Sequence, residues 1–333
     1  MRIGLAGAGR IGAFHASILA RLPGVDSVIV ADADGDRARQ IAEGLGIEAC
    51  GSPDALLSSG LDALVVAAPT QAHPEFIVRG VEAGLPVFCE KPVAPDIEST
   101  LEVIKRVGDA ATAVQVGFQR RFDPGYGMAR EAVRSGALGR VHTLRATTLD
   151  ATPPAPSYIQ TSGGLFRDCG VHDFDAIRWV TGRGVREVYA AGANRGADFF
   201  RAAGDVDTMA AMLILADDSL ALVSNGRYNG AGYDVRLEVL GSQDSICVGL
   251  DERVPLRSAE AGVTFPSGTP YPSFIERFAD AYRRELAAFV RLVAEGGQSP
   301  CTMLDALEAF YIAEACELSL ARHRPVRLAE VRR

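Results

Sequence analysis

The chain has 333 residues, of which 48% are hydrophobic and 23% charged, and its formal net charge is -8. That length exceeds one ordinary core and predicts two domains, while the acidic balance excludes a surface built for nucleic acid or anionic membrane, which needs clustered Lys and Arg. No apolar run approaches the roughly 20 residues of a membrane span, and the first residues, MRIGLAGAGRIG, lack the basic start and unbroken apolar stretch of a signal peptide. The cysteines lie far apart with no C-x-x-C pair, which fits buried thiols in a reducing compartment; a cytoplasmic protein is expected.

Residues 2–6 (RIGLA) read as a strand that runs into Gly7-Ala8-Gly9-Arg10-Ile11-Gly12. A helical pattern, AFHASILARL, follows, and then a second apolar run, VDSVIVAD. A G-x-G-x-x-G between strand and helix is where a dinucleotide-binding βα unit needs it. Gly7 permits the tight turn, Gly9 lets the backbone approach a pyrophosphate, and Gly12 lets the helix pack closely on the strand. The phosphates then meet the helix N-terminus, including Arg10 and Ile11, where unpaired N–H groups favour negative charge. Asp32 stands at the end of the second run, where a carboxylate binds the ribose hydroxyls and repels a 2′-phosphate. NAD is therefore expected over NADP, although Arg37 and Arg39 nearby keep NADP as an alternative and Asp32 could also cap the next helix.

The βα rhythm continues with strands at 61–69, 85–92 and 112–118, separated by helical stretches at 73–84 and 96–109. Runs of β-branched residues without alternation suit parallel strands covered on both faces, and ligands of such sheets lie beyond the C-terminal strand ends. Two clusters fall there: Pro69-Thr70-Gln71-Ala72-His73 and Glu90-Lys91-Pro92. Most lysines on loops are only solvated. A Lys fixed after a buried strand and before a Pro, near a nicotinamide, suits a developing alkoxide.

From about residue 119 the pattern changes. A helix at 123–135 precedes HTLRATTLD and a Pro-rich loop, TPPAPSY; later runs VREVYAAGA, DVDTMAAMLILA, SLALVSNGRY, YDVRLEVLGS and DSICVGL follow one another without helices between them. Such succession predicts a large, mostly antiparallel sheet in an α+β domain, followed by two long helices. The expected division is 1–118 and 119–333, with the C-terminal helices free to pack back on the first domain. An antiparallel sheet needs only one face covered by its own helices, so the open face predicts a homo-oligomer, a dimer or tetramer.

Between the loop and those strands lies SGGLFRDCGVHDFDAIRWV. On a helix over 164–181, Phe166, Cys169, Gly170, Phe174, Ile177 and Val180 share one stripe, and Asp168, His172, Asp175 and Trp179 lie opposite. Asp168, His172 and Asp175 then meet by i, i+3 and i, i+4 spacing. Asp173 falls on the apolar side and needs a partner, such as an Arg of the second domain, if buried. Three readings compete: an exposed polar face, a divalent-metal site, and proton transfer. The other histidines form no ligand motif, so no metal is assigned. Histidine titrates near neutrality and can take a hydroxyl proton as an alcohol is oxidised, with Asp168 orienting it or bonding the substrate.

GAGRIGAFHA (7–16), APTQAH (68–73), EKP (90–92), GFQRRFDP (117–124), GGLFRDCGVHDFD (163–175) and the closing ALEAFYIAEACELSLARHRPVRL together resemble the glucose–fructose oxidoreductase/inositol dehydrogenase/MocA family. The resemblance implies a Rossmann doubly wound domain binding NAD through the glycine loop, Asp32, Pro69, Thr70, His73, Glu90 and Lys91. It also implies a catalytic set of Lys91, Asp168 and His172. GFQRRFD and HDFD are most similar to inositol dehydrogenases, which implies oxidation of a ring hydroxyl of myo-inositol or a related cyclitol, with Arg120, Asp150 and Tyr233 lining the substrate pocket. Thr70 stands where many members carry Asn, and the loop at 150–158 departs from some inositol enzymes. Dehydrogenases of other sugars (glucose, galactose, xylose or levoglucosan), NAD-dependent glycosidases and regulators without turnover share the family pattern.

Overall fold

The computed structural model describes residues 1–332. The chain divides into two compact units, Met1–Gln119 with Asp280–Leu307 and Arg120–Ala279 with Glu308–Arg333.

The first unit is built on six strands, β1 (Arg2–Ala6), β2 (Ser27–Ala31), β3 (Glu48–Ala49), β4 (Ala63–Val66), β5 (Val87–Glu90) and β6 (Val114–Gly117), in the order β3-β2-β1-β4-β5-β6. Every pair is parallel. Ile3, Leu5, Val30 and all of β4 are fully buried, as uninterrupted apolar strands between two helical layers must be. The strand order reverses at β1, so the C-terminal ends of β1 and β4 flank the switch point at which such sheets take ligands. The helix Ala279–Glu295 belongs to this unit from Asp280 onward. Its Leu286, Phe289 and Val290, at helical spacing, pack into the cluster formed by Ile3, Leu5, Val28, Val30 and Val65.

The second unit holds β7 (Val141–Leu149), β8 (Val185–Ala193), β9 (Thr208–Leu215), β10 (Leu220–Gly226), β11 (Asp234–Gly241), β12 (Ser245–Val248) and β13 (Val326–Arg327), in the order β12-β11-β7-β10-β9-β8-β13. The sheet is mostly antiparallel, as the run of strands predicts, but β7 and β10 pair in parallel. The reason is topological: the β8–β9–β10 meander comes back to β7 and lays β10 alongside it. Burial alternates along β7 to β10, the period of a sheet with one covered face. The helix Val171–Thr181 packs on β7 and on the helix Pro124–Arg134. On the other face Tyr189, Met212 and Leu222 are 42%, 37% and 43% exposed and stand in register across β8, β9 and β10.

Among the described residues no helix is long and apolar enough to cross a membrane.

Candidate active site

The turn after β1 separates the roles of its glycines. Gly7 has φ +106, and a Cβ there would lie 2.5 Å from the Ala67 backbone; a Cβ on Gly12 would lie 2.0 Å from the Gly7 carbonyl oxygen. Gly9 differs, because a Cβ there would meet nothing within 4 Å. The first and third glycines thus close the turn against β4 and the helix, and the second leaves open space for a ligand. Gly9 is the N-cap of the helix Arg10–Leu19 and makes no side-chain hydrogen bond to it. Ala8 N–H donates to Asp32 Oδ2 at 2.6 Å, and Asp34 N–H to Asp32 Oδ1 at 2.8 Å. The carboxylate is thereby locked beside the glycine loop with lone pairs to spare for ribose hydroxyls. Asp32 is not the cap of the next helix; Asp34 caps Gly35–Leu45 through the N–H groups of Asp36 and Arg37. Arg37 Nη1 lies 3.5 Å from Asp32 Oδ1, which places the cation of the NADP alternative against the carboxylate itself. An open glycine turn, a glycine-capped helix N-terminus and a fixed carboxylate fit the pyrophosphate and ribose of a dinucleotide.

The two strand-end clusters are tied together. After Pro69 a short 3-10 turn, Thr70–Ala72, leads into the helix His73–Glu82. His73 is buried, with Nδ1 2.7 Å from the Pro92 carbonyl and Nε2 2.8 Å from that of Ala68. Its ring therefore braces the β4 loop against the Glu90-Lys91-Pro92 loop, and both nitrogens are committed to backbone. Burial depresses its basicity, while the two backbone carbonyls oppose that shift. Glu90 ends β5, and its Oε1 lies 2.6 Å from His15 Nε2; Lys91, half-buried, follows directly.

One further ionisable group carries no motif in the sequence. Glu285, on the helix Ala279–Glu295, is fully buried. Burial first, and then the Glu90 charge, push its carboxyl well above the ordinary range, so it is held as the neutral acid. The signal was present: Glu285 falls on the same helical stripe as Ala281, Tyr282, Leu286 and Phe289, where only an apolar residue is expected. Its proximity to Glu90, far away in sequence, was not.

In the second unit the segment 163–181 does form a helical entry, with a change of pitch. Gly163 and Gly164 adopt φ +82 and +94, which only glycine takes without strain. Phe166–Gly170 is a π turn and Val171–Thr181 an α-helix. The apolar stripe from Phe166 to Val180 is buried as expected. Asp168 Oδ1 accepts from the Tyr158 hydroxyl at 2.8 Å, and Oδ2 from Arg227 Nη2 at 2.7 Å. Arg227 Nη1 reaches Asp150 Oδ2 at 3.0 Å. Asp175 is buried in a bidentate pair with Arg121, at 2.8 and 2.5 Å.

Asp173 lies on the apolar side and is paired with an Arg, as burial requires. Its carboxylate accepts from Arg120 Nη1 at 2.5 Å and from Thr148 and Asn225. Arg120 also donates to Thr148 Oγ1 at 2.9 Å, so both terminal nitrogens of this expected pocket residue are engaged inside the unit. Tyr233 is buried; desolvation pushes its phenol well up, with Arg120 opposing and Asp150 adding to the shift. Asp150, Arg120 and Tyr233 thus share one electrostatic neighbourhood, and Arg227 links Asp150 to Asp168. Arg227 and Tyr158 were not anticipated. An Arg within SNGRY, at the end of a strand, carries no local sign of its partners.

A parallel sheet with an open glycine turn and a locked carboxylate, joined to a second domain with a Tyr- and Arg-bound Asp one helical turn before a His, defines an NAD-dependent oxidoreductase. The chain belongs to the GFO/IDH/MocA oxidoreductase family: residues 1–118 match the model described as an oxidoreductase family with an NAD-binding Rossmann fold, and residues 126–247 match the family's C-terminal domain. It is 39% identical to a myo-inositol dehydrogenase of Streptomyces leeuwenhoekii over 96% of this chain and 97% of that one. It is 35% identical to the myo-inositol 2-dehydrogenase of Thermotoga maritima over 99% of each. Among solved structures, the scyllo-inositol dehydrogenase of Lactobacillus casei with NAD(H) and scyllo-inositol bound superposes with a TM-score of 0.89 at 29% identity, covering 99% of both chains.

Proposed function

We propose that this protein oxidises a secondary ring hydroxyl of a cyclitol, myo-inositol or a close relative, to the ketone with NAD as hydride acceptor. The observation that carries the reading is the pairing of an NAD domain bearing Lys91 after β5 with a second domain in which Asp168 is fixed one helical turn before His172. The names of the relatives supply the substrate class.

Residues 7–12 and Asp32 would hold NAD, which would supply the acceptor for the carbinol hydride. His172 removes the hydroxyl proton, because imidazole is basic enough near neutral pH to accept it and acidic enough to release it. Lys91 supplies a fixed positive charge to the oxygen as alkoxide character develops. Asp168 orients the substrate and supports the imidazolium. Asp150, Arg120 and Tyr233 shape the polyol pocket. Pro69, Thr70 and Glu90 border the cofactor, with His73 bracing the loops that carry them. The enzyme works in the cytoplasm as a homo-oligomer, a dimer or tetramer formed through the open sheet face, where Tyr189, Met212 and Leu222 expose apolar surface in register.

A screen of NADH absorbance against myo-inositol, scyllo-inositol, glucose, galactose, xylose and levoglucosan, with NAD and NADP in parallel, tests the reading. NADH accumulates with an inositol and NAD. Cleavage of a glycoside without net NADH, and no NADH from any cyclitol, would assign the glycosidase activity instead.

A further inference from the structure

Arg227 lies in none of the motifs that carry the family resemblance, yet it touches two residues of the candidate site. Its side chain is 2% exposed, and its two terminal nitrogens reach out to Asp150 and Asp168, whose side chains are 20% and 10% exposed. Nη1 also lies 3.0 Å from Cys169 Sγ. A guanidinium keeps its charge at any working pH and spreads its donors over a rigid plane. One buried cation thus fixes both the position and the separation of two carboxylates that would otherwise repel each other at close range.

We infer that Arg227 is a positioning residue of the oxidation, clamping Asp168 and Asp150 as ionised, fixed acceptors for the polyol; the inference rests on the proposed role of Asp168. Three further observations fit. Tyr158 occupies the other oxygen of Asp168, so neither oxygen swings freely. Desolvation, and then the Asp168 charge, hold the Tyr158 phenol above its ordinary range, so it remains a donor. Tyr158 also sits in the short helix Pro156–Ile159 of the Pro-rich loop. Fixed spacing between two acceptors is what a ring bearing several hydroxyls needs if one of them is to be selected. Without the cation, two carboxylates facing one site raise each other's pKa, and one of them takes a proton near neutrality.

The test compares Arg227→Gln, Arg227→Lys, Tyr158→Phe and Asp168→Asn in the full-length enzyme, with melting temperature and NAD affinity as controls for folding. In Arg227→Gln, kcat on myo-inositol falls at least about tenfold, and the acidic limb of kcat/KM moves up by roughly one pH unit or more. Arg227→Lys restores the acidic limb but not the full kcat, because an ammonium is a point charge and cannot fork to both carboxylates. Tyr158→Phe lowers kcat less and leaves the limb in place.

A folded Arg227→Gln with kcat and pH profile within about twofold of wild type overturns the inference. If that variant does not fold, an Arg227→Lys enzyme with wild-type kcat overturns it equally. Asp168→Asn separates the two claims. Wild-type turnover in that variant removes the catalytic reading of Asp168. An inactive Asp168→Asn beside unaffected Arg227 variants removes only the clamp. A carboxyl 13C titration, with Asp150 and Asp168 assigned by their Asn variants, reads the charge effect without substrate: one of the two moves up by about 1–3 units in Arg227→Gln, and unchanged titration contradicts the clamp.

Discussion

Single atoms decide what the glycine turn does. A Cβ on Gly12 would sit 2.0 Å from the Gly7 carbonyl, whereas one on Gly9 meets nothing. Gly12→Ala therefore forces helix and turn apart and destabilises the fold by roughly 3 kcal/mol or more, read as a fall in melting temperature. Gly9→Ala leaves the fold intact and weakens NAD binding by about tenfold, close to 1.4 kcal/mol, by titration calorimetry. Equal effects of the two on melting would contradict the separation of roles. The same scale sorts the carboxylates of the segment around His172. Asp173 and Asp175 are paired with Arg120 and Arg121 and almost fully buried inside the second unit, whereas the Asp168 side chain, paired with Arg227, is 10% exposed. The turn glycines and Asp32 are legible in the sequence because each acts within one βα unit. The partners of Asp168 and Asp175 are not, because Tyr158, Arg227 and Arg121 come from other elements.

The helix Ala279–Glu295 carries a pH dependence of its own. Glu285 is buried among apolar neighbours and its folded-state pKa lies well above the ordinary value of 4.5. The folded protein then holds a proton that the unfolded chain has already released. Stability is full below about pH 4.5 and declines as pH rises towards the folded-state pKa, by about 1.4 kcal/mol per pH unit. Glu285→Gln removes that decline, so the variant melts higher than wild type at pH 8 and equally at pH 4.5; a lower melting temperature at pH 8 would contradict a neutral Glu285. The type and order of the long elements are legible, because strong period-two and period-3.6 patterns survive in single segments, but the short helix Asp198–Ala202 between β8 and β9 corrects the expectation of strands without helices between them. What is not legible depends on neighbours: the π turn at Phe166–Gly170, the parallel pairing of β7 with β10, and the place of the helix Ala279–Glu295 in the first unit.

At the scale of the molecule, one chain unites an NAD-binding domain with a second domain whose sheet presents an apolar stripe to its surroundings. Leu222→Glu places a charge in that stripe and is expected to lower the assembly mass measured by light scattering, whereas a wild-type monomer at micromolar concentration would remove the oligomer. The central claim is that Lys91, from the first unit, and His172, from the second, serve one oxidation of a cyclitol hydroxyl. NADH formation from myo-inositol, measured for wild type, Lys91→Ala and His172→Ala with NAD affinity determined alongside, tests it most directly. The account predicts turnover in the wild type, its near-complete loss in both variants, and NAD affinity within a few-fold of wild type. Wild-type-like turnover in either variant would contradict it.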